Sequence, residues 1–129
     1  MPLVRLDIIK GRSRKEIKTI LDVCHDAIVE AFEVPMSDRY QVVTQHEKED
    51  LIIEDTGLGF TRSEDFVLIT ILSSKREVSK KELFYKLAVD NLYQTCGIDR
   101  ENVMISISEN TPADWSFGLG EAQFLNGKL

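Results

Sequence analysis

The chain has 129 residues, 43% of them hydrophobic and 29% charged, enough to bury one core and ordinary for a soluble globular protein. Its net charge of −6 argues against nucleic acid and anionic membrane as main partners. No apolar run reaches the roughly 20 residues that span a bilayer, and the opening Met-Pro-Leu-Val-Arg-Leu-Asp carries an acid inside its apolar stretch, unlike a signal peptide.

In chain order, Val4–Ile9 reads as a strand in which apolar and polar residues partly alternate. Ser13-Arg-Lys-Glu16 is a capping-box pattern, in which hydroxyl and carboxylate each satisfy a free N–H of the first turn. It opens a helix whose apolar stripe runs Ile17, Ile20, Leu21, Cys24, Ile28, Ala31 and Phe32. After Val34-Pro35, a second strand covers Arg39–Gln45. Glu47–Asp50 is a charged turn, Leu51–Ile53 is expected to form a short edge strand, and Gly57-Leu-Gly59 is a turn-rich connector without phosphate-loop spacing. Val67–Leu72 is nearly all apolar, as suits a central strand covered on both faces. Ser79-Lys-Lys-Glu82 repeats the capping pattern before a second helix with Leu83, Phe84, Leu87, Ala88, Leu92 and Cys96, which Gly97 is expected to stop. Val103–Ser108 alternates cleanly as the last strand.

The order strand, capped helix, strand thus occurs twice. Each unit implies a parallel strand pair with a right-handed crossover. The expected fold is α/β: two βαβ repeats forming a four-stranded mixed sheet with two helices on one face. One domain is expected over 1–129, with pseudo-repeats at roughly 2–46 and 66–110, a linker at 47–65 and an aromatic tail at 111–129. The bare sheet face calls for cover, for which other subunits are the natural source. Trp115, Phe117 and Phe124 in the tail pack on a neighbouring subunit or line a pocket mouth.

Candidate chemistry is sparse. Cys24 and Cys96 lack CxxC or Cys/His spacing and read as reduced thiols of a cytoplasmic protein, so no metal site is expected. His25 and His46 have no partner in the pattern and read as surface or satisfied histidines. Lys10, Arg12, Arg14 and Lys15 cluster before the first helix, and Lys75, Arg76, Lys80 and Lys81 before the second. Cations there are locally unfavourable, so they are either solvated charge or half of an anion site. Loss of Met1 would leave Pro2 with a secondary amine, which titrates near neutrality and is tuned by neighbouring charge and burial.

Pro2 opening a strand, the Pro35–Gln41 stretch Pro-Met-Ser-Asp-Arg-Tyr-Gln, the Glu54–Gly59 run and Asp114-Trp-Ser-Phe-Gly118 together resemble the malonate semialdehyde decarboxylase-like subgroup of the tautomerase superfamily. The resemblance spans nearly the whole chain. It implies a homotrimer and catalysis by a free N-terminal proline on small oxo-carboxylates, without metal or organic cofactor. Position by position, it implies Pro2 as the catalytic proline, Asp38 as an acidic catalytic residue and Arg76 as one of two arginines that hold the substrate carboxylate. Ser74 stands where the second arginine belongs, and Lys75 is a nearby point charge without a bidentate fork. Trp115, Phe117, Phe124 and Leu129 match an apolar wall. Keto–enol tautomerisation is the expected activity. Decarboxylation of a 3-oxo acid or hydration of an acetylenic acid at the same site is the alternative. A non-catalytic binding protein, of the kind represented by macrophage migration inhibitory factor in that superfamily, is the rival from another class.

Overall fold

The computed structural model describes residues 1–129. In chain order the elements are β1 (Leu3–Ile9), α1 (Arg14–Phe32), β2 (Tyr40–His46), β3 (Val67–Ser74), α2 (Val78–Cys96) and β4 (Val103–Asn110), with single 3-10 turns at Arg100–Asn102 and Pro112–Asp114. The four strands form one sheet in the order β2-β1-β3-β4. β1 is parallel to β2 and β3 is parallel to β4, as the crossovers require. β1 and β3 run antiparallel at the centre, pairing Leu3 with Leu72 and Ile8 with Val67.

Alternation decides which face is covered. Val4, Leu6 and Ile8 of β1 and Val67, Ile69 and Ile71 of β3 point to the helices and are buried. They join Ile17, Ile20, Cys24, Ile28 and Phe32 of α1 and Phe84, Ala88 and Leu92 of α2 in one cluster of 19 residues. Each large aliphatic side chain buried there contributes about 1.5–3 kcal/mol relative to exposure. The opposite face carries Leu3, Val42, Leu68, Leu72 and Met104, with Val42, Leu72 and Met104 exposed. Within one chain β3 is covered on its helical side, and its other face is the one for which other subunits are the expected cover.

The two helix starts differ. Ser13 caps α1 as its pattern predicts: its Oγ accepts from Glu16 N–H at 3.1 Å, and the Glu16 carboxylate accepts from Ser13 N–H at 3.1 Å. These contacts hold the Glu16 carboxyl below its ordinary pKa. The predicted second capping box does not form. α2 begins at Val78, with Glu77 at the cap position and no side-chain cap bond, so Ser79 lies inside the first turn. Glu109 at the end of β4 fixes this start instead. Its carboxylate accepts from Arg76 N–H at 2.8 Å and pairs with Lys81 at 3.2 Å. Gly97 stops α2 in the left-handed conformation at φ 67°.

The expected strand at Leu51–Ile53 is also absent. The linker satisfies its backbone with side chains rather than with a sheet edge. Arg62 donates to the carbonyls of Glu54 and Glu101, and the Asp55 carboxylate accepts from Gly57 and Gly59 N–H at 3.2 and 2.7 Å. No helix is long and apolar enough to cross a membrane.

Candidate active site

The antiparallel centre of the sheet brings distant segments together at one end. Leu3 lies between Leu72 and Tyr40, so the start of β1 meets the end of β3 and the turn that leads into β2. Pro2, fully buried, therefore sits among Ser73, Ser74 and Asp38. A cavity of about 260 Å³ opens beside it, lined by Met1, Phe32, Ser74, Arg76 and Phe124 together with the Glu33–Pro35 segment.

Arg76 is the cation of this cavity. Its Nε donates to Ser73 Oγ at 3.3 Å, and its guanidinium lies over the Phe32 ring, 5.2 Å from the centroid. Ser73 is wholly buried and donates to the Ser74 carbonyl at 2.8 Å. The neighbouring cations are answered, Lys80 by Glu33 at 2.8 Å and Lys81 by Glu109. The Arg76 guanidinium has no carboxylate partner. A half-buried arginine with an open fork and an aromatic floor is suited to a carboxylate.

Asp38 faces it across the start of β1. Its side chain is 8% exposed, and Oδ2 lies 3.5 Å from the α-amine of Met1. That oxygen makes no hydrogen bond. Burial pushes the Met1 amine below its ordinary pKa, Asp38 opposes the shift and Arg76 adds to it. An amine at this end of β1 is thus tuned between one anion and one cation.

The aromatic tail crosses the same end of the sheet. Trp115 Nε1 donates to Asn110 at the end of β4 at 2.7 Å. Trp115 stacks on Phe117 at 5.5 Å, and Phe117 contacts both Phe124 and Tyr40, the first residue of β2, at 5.4 and 5.7 Å. Phe124 carries this row to the cavity wall. Trp115 and Phe117 stand one layer back and buttress it.

Ser74, Arg76 and Phe124 therefore line the cavity, while Pro2 and Asp38 lie behind its Met1 wall and outside the lining. Lys75 is exposed and outside the cavity lining. Leu129 is 64% exposed, also outside it. Phe32, Ser73, Glu109 and Tyr40 belong to the arrangement although none of them was expected at the site. For Ser73 a signal exists: a hydroxyl continues the inward row Val67, Ile69, Ile71. A larger groove of about 490 Å³ under Ile52–Phe60 holds only Arg62 as a cation, and that guanidinium is engaged by backbone carbonyls.

Comparison with known proteins adds a family to this fold. Two family models, each described as a tautomerase enzyme, match residues 38–118 and residues 2–61. The probable tautomerase YrdN of Bacillus subtilis (strain 168) is 52% identical over 129 residues, covering 100% of both chains. Among solved structures, a malonate semialdehyde decarboxylase is 46% identical with a TM-score of 0.96, covering 98% of each chain. A second malonate semialdehyde decarboxylase, inhibited by 3-bromopropiolate, is 40% identical with a TM-score of 0.94, covering 98% of this chain and 97% of that one. With the fold, the buried proline at the start of β1 and full-length likeness to such proteins in hand, the chain belongs to the tautomerase enzyme family.

Proposed function

We propose that the protein moves a proton on a small oxo-carboxylate, interconverting its keto and enol forms, with Pro2 as the catalytic residue once Met1 is removed. The observation that carries this reading is Arg76, an unpaired guanidinium beside the start of β1. It would hold the substrate carboxylate and stabilise enolate charge. The Pro2 nitrogen, as free base, takes the proton from the carbon next to the oxo group, the electrons pass to oxygen, and protonation of that oxygen completes the enol and frees the amine. Asp38 tunes the amine and orients the substrate or water. Phe124, backed by Phe117 and Trp115, keeps water from the reacting atoms. The open apolar face of the sheet is covered by further copies of the chain in a homotrimer.

Likeness to two malonate semialdehyde decarboxylases favours a second reading, loss of carbon dioxide from a 3-oxo acid at the same site. The two reactions ask different things of the cations. A proton can move beside a carboxylate held by one anchor. Decarboxylation gains from a second fork that holds the carboxylate out of the carbonyl plane, which Ser74 cannot provide. The test measures kcat/KM for an enolisable 2-oxo acid and for malonate semialdehyde, in wild type and in Ser74→Arg. Tautomerase activity at least as prominent as decarboxylation, with Ser74→Arg raising the decarboxylase share, supports the reading. An efficient wild-type decarboxylase that gains nothing from Ser74→Arg would replace it by the second.

A further inference from the structure

Asp38 has an odd support. Its side chain is 8% exposed, yet Oδ2 has no hydrogen-bond donor and only the amine at 3.5 Å for company. Apart from the ion pair with that amine, nothing at that oxygen ties the carboxylate to the surrounding protein. Its aim must depend on the backbone that carries it. That backbone is a turn, closed by Asp38 N–H donating to the Pro35 carbonyl at 3.0 Å, with Met36 and Ser37 at its centre.

The turn is held from α1. The His25 ring is 4% exposed, and its Nε2 lies 2.7 Å from the Met36 carbonyl oxygen. A carbonyl only accepts, so Nε2 carries the proton and donates. This bond fixes the plane of the peptide between Met36 and Ser37, and through it the direction in which Asp38 leaves the turn. Past the turn, Arg39 donates to Asp22 at 2.7 Å and Gln41 to the Leu21 carbonyl at 2.8 Å. Asp22 and Arg39 stand in solvent, where water competes for both. His25 is the one buried side chain that grips the turn itself.

We infer that His25 is a positioning residue, which aims the Asp38 carboxylate at the amine of the active site by holding the Met36 carbonyl. The inference rests on the role proposed above for Asp38. A buried histidine in the middle of a helix otherwise has no evident purpose, since an aliphatic residue would fill the space without needing a partner.

The experiment is a double-mutant cycle on trimmed protein, with kcat and KM for an enolisable 2-oxo acid as readout. His25→Ala should lower kcat by about 10- to 100-fold, as small misplacements of a reacting constellation do, with KM little changed. In an Asp38→Asn background the same change should cost less than about twofold, because the group it aims is already gone. Should His25→Ala fail to fold, the pair His25→Gln and His25→Met replaces it: Gln restores a donor and should keep most of kcat, whereas Met fills the space without a donor and should not. Equal losses in both backgrounds, or equal activity of the Gln and Met variants, would overturn the inference while leaving the role of Asp38 standing. Undiminished activity in Asp38→Asn alone would overturn both.

Discussion

The two halves place an arginine at matching positions and use it differently. Both helices have 19 residues, so aligning Arg14 with Val78 sets Arg12 opposite Arg76, Phe66 opposite Pro2 and Asp65 opposite Met1. At the first pair of positions the charge is answered inside the chain. Arg12 donates to the Asp65 carbonyl and lies 3.9 Å from its carboxylate, and the linker runs on into Phe66, which is buried. At the second pair Met1 makes no such bond, and the Arg76 side chain donates to Ser73 and lies over the Phe32 ring with no carboxylate partner. One position of the fold is therefore structural where the neighbouring chain neutralises its cation. It is suited to chemistry where the cation is left open toward a cavity. The caps follow the same division: α1 begins on a complete capping box, whereas α2 begins on Glu109, which serves the Arg76 segment.

That contrast can be broken from either side. The largest effect is expected at Arg76. Arg76→Ala should cost kcat/KM about 2–5 kcal/mol, because the bound carboxylate loses its partner in a desolvated place. Arg12→Ala should leave kcat/KM within about twofold, since it lies at the other end of the sheet, and should lower the melting temperature instead. Comparable catalytic losses from both variants would erase the distinction between the two ends. A smaller effect separates the helix starts. Ser13→Ala should destabilise the protein by about 1 kcal/mol in denaturant titration, the ordinary worth of a cap. Ser79→Ala should cost less than about 0.5 kcal/mol, since the residue caps nothing. A Ser79 variant as damaging as the Ser13 variant would restore the capping box that the structure lacks.

Local pattern carried much of the fold. Alternation identified β1 and β4, the helical stripes identified α1 and α2, and Ser13 with Glu16 marked the start of α1. Where long-range partners intervene, local pattern failed. Ser79-Lys-Lys-Glu82 has the letters of a cap, but a carboxylate from β4 holds the segment ahead of it and the helix starts earlier. Leu51–Ile53 has the composition of a strand, but Arg62 and Asp55 satisfy the linker around it and no ladder is left to join. The site was legible chiefly through likeness to a family, because its geometry depends on β1 and β3 meeting antiparallel. No spacing along the chain reveals that Pro2 will lie beside Ser73, or that a histidine in the middle of α1 will reach the turn before Asp38. Arg76 and Lys75 look equivalent as neighbouring cations. Only the end of β3 turns the first to the cavity and the second to solvent.

The central claim is that an amine at the start of β1, tuned by burial, Arg76 and Asp38, does the chemistry. The direct measurement compares protein that retains Met1 with protein that begins at Pro2, each defined by intact mass, for turnover of an enolisable 2-oxo acid across pH. In the chain that retains Met1, burial pushes the Met1 amine below its ordinary value of 8.0, with Asp38 opposing the shift and Arg76 adding to it. A Pro2 amine lowered by the same surroundings would hold more free base near neutrality, so kcat/KM of the trimmed protein should rise with pH and then level off. Activity should scale with the fraction of chains that begin at Pro2. Equal turnover by protein with Met1 fully retained would contradict the account, since Pro2 is then an amide that can neither take nor return a proton.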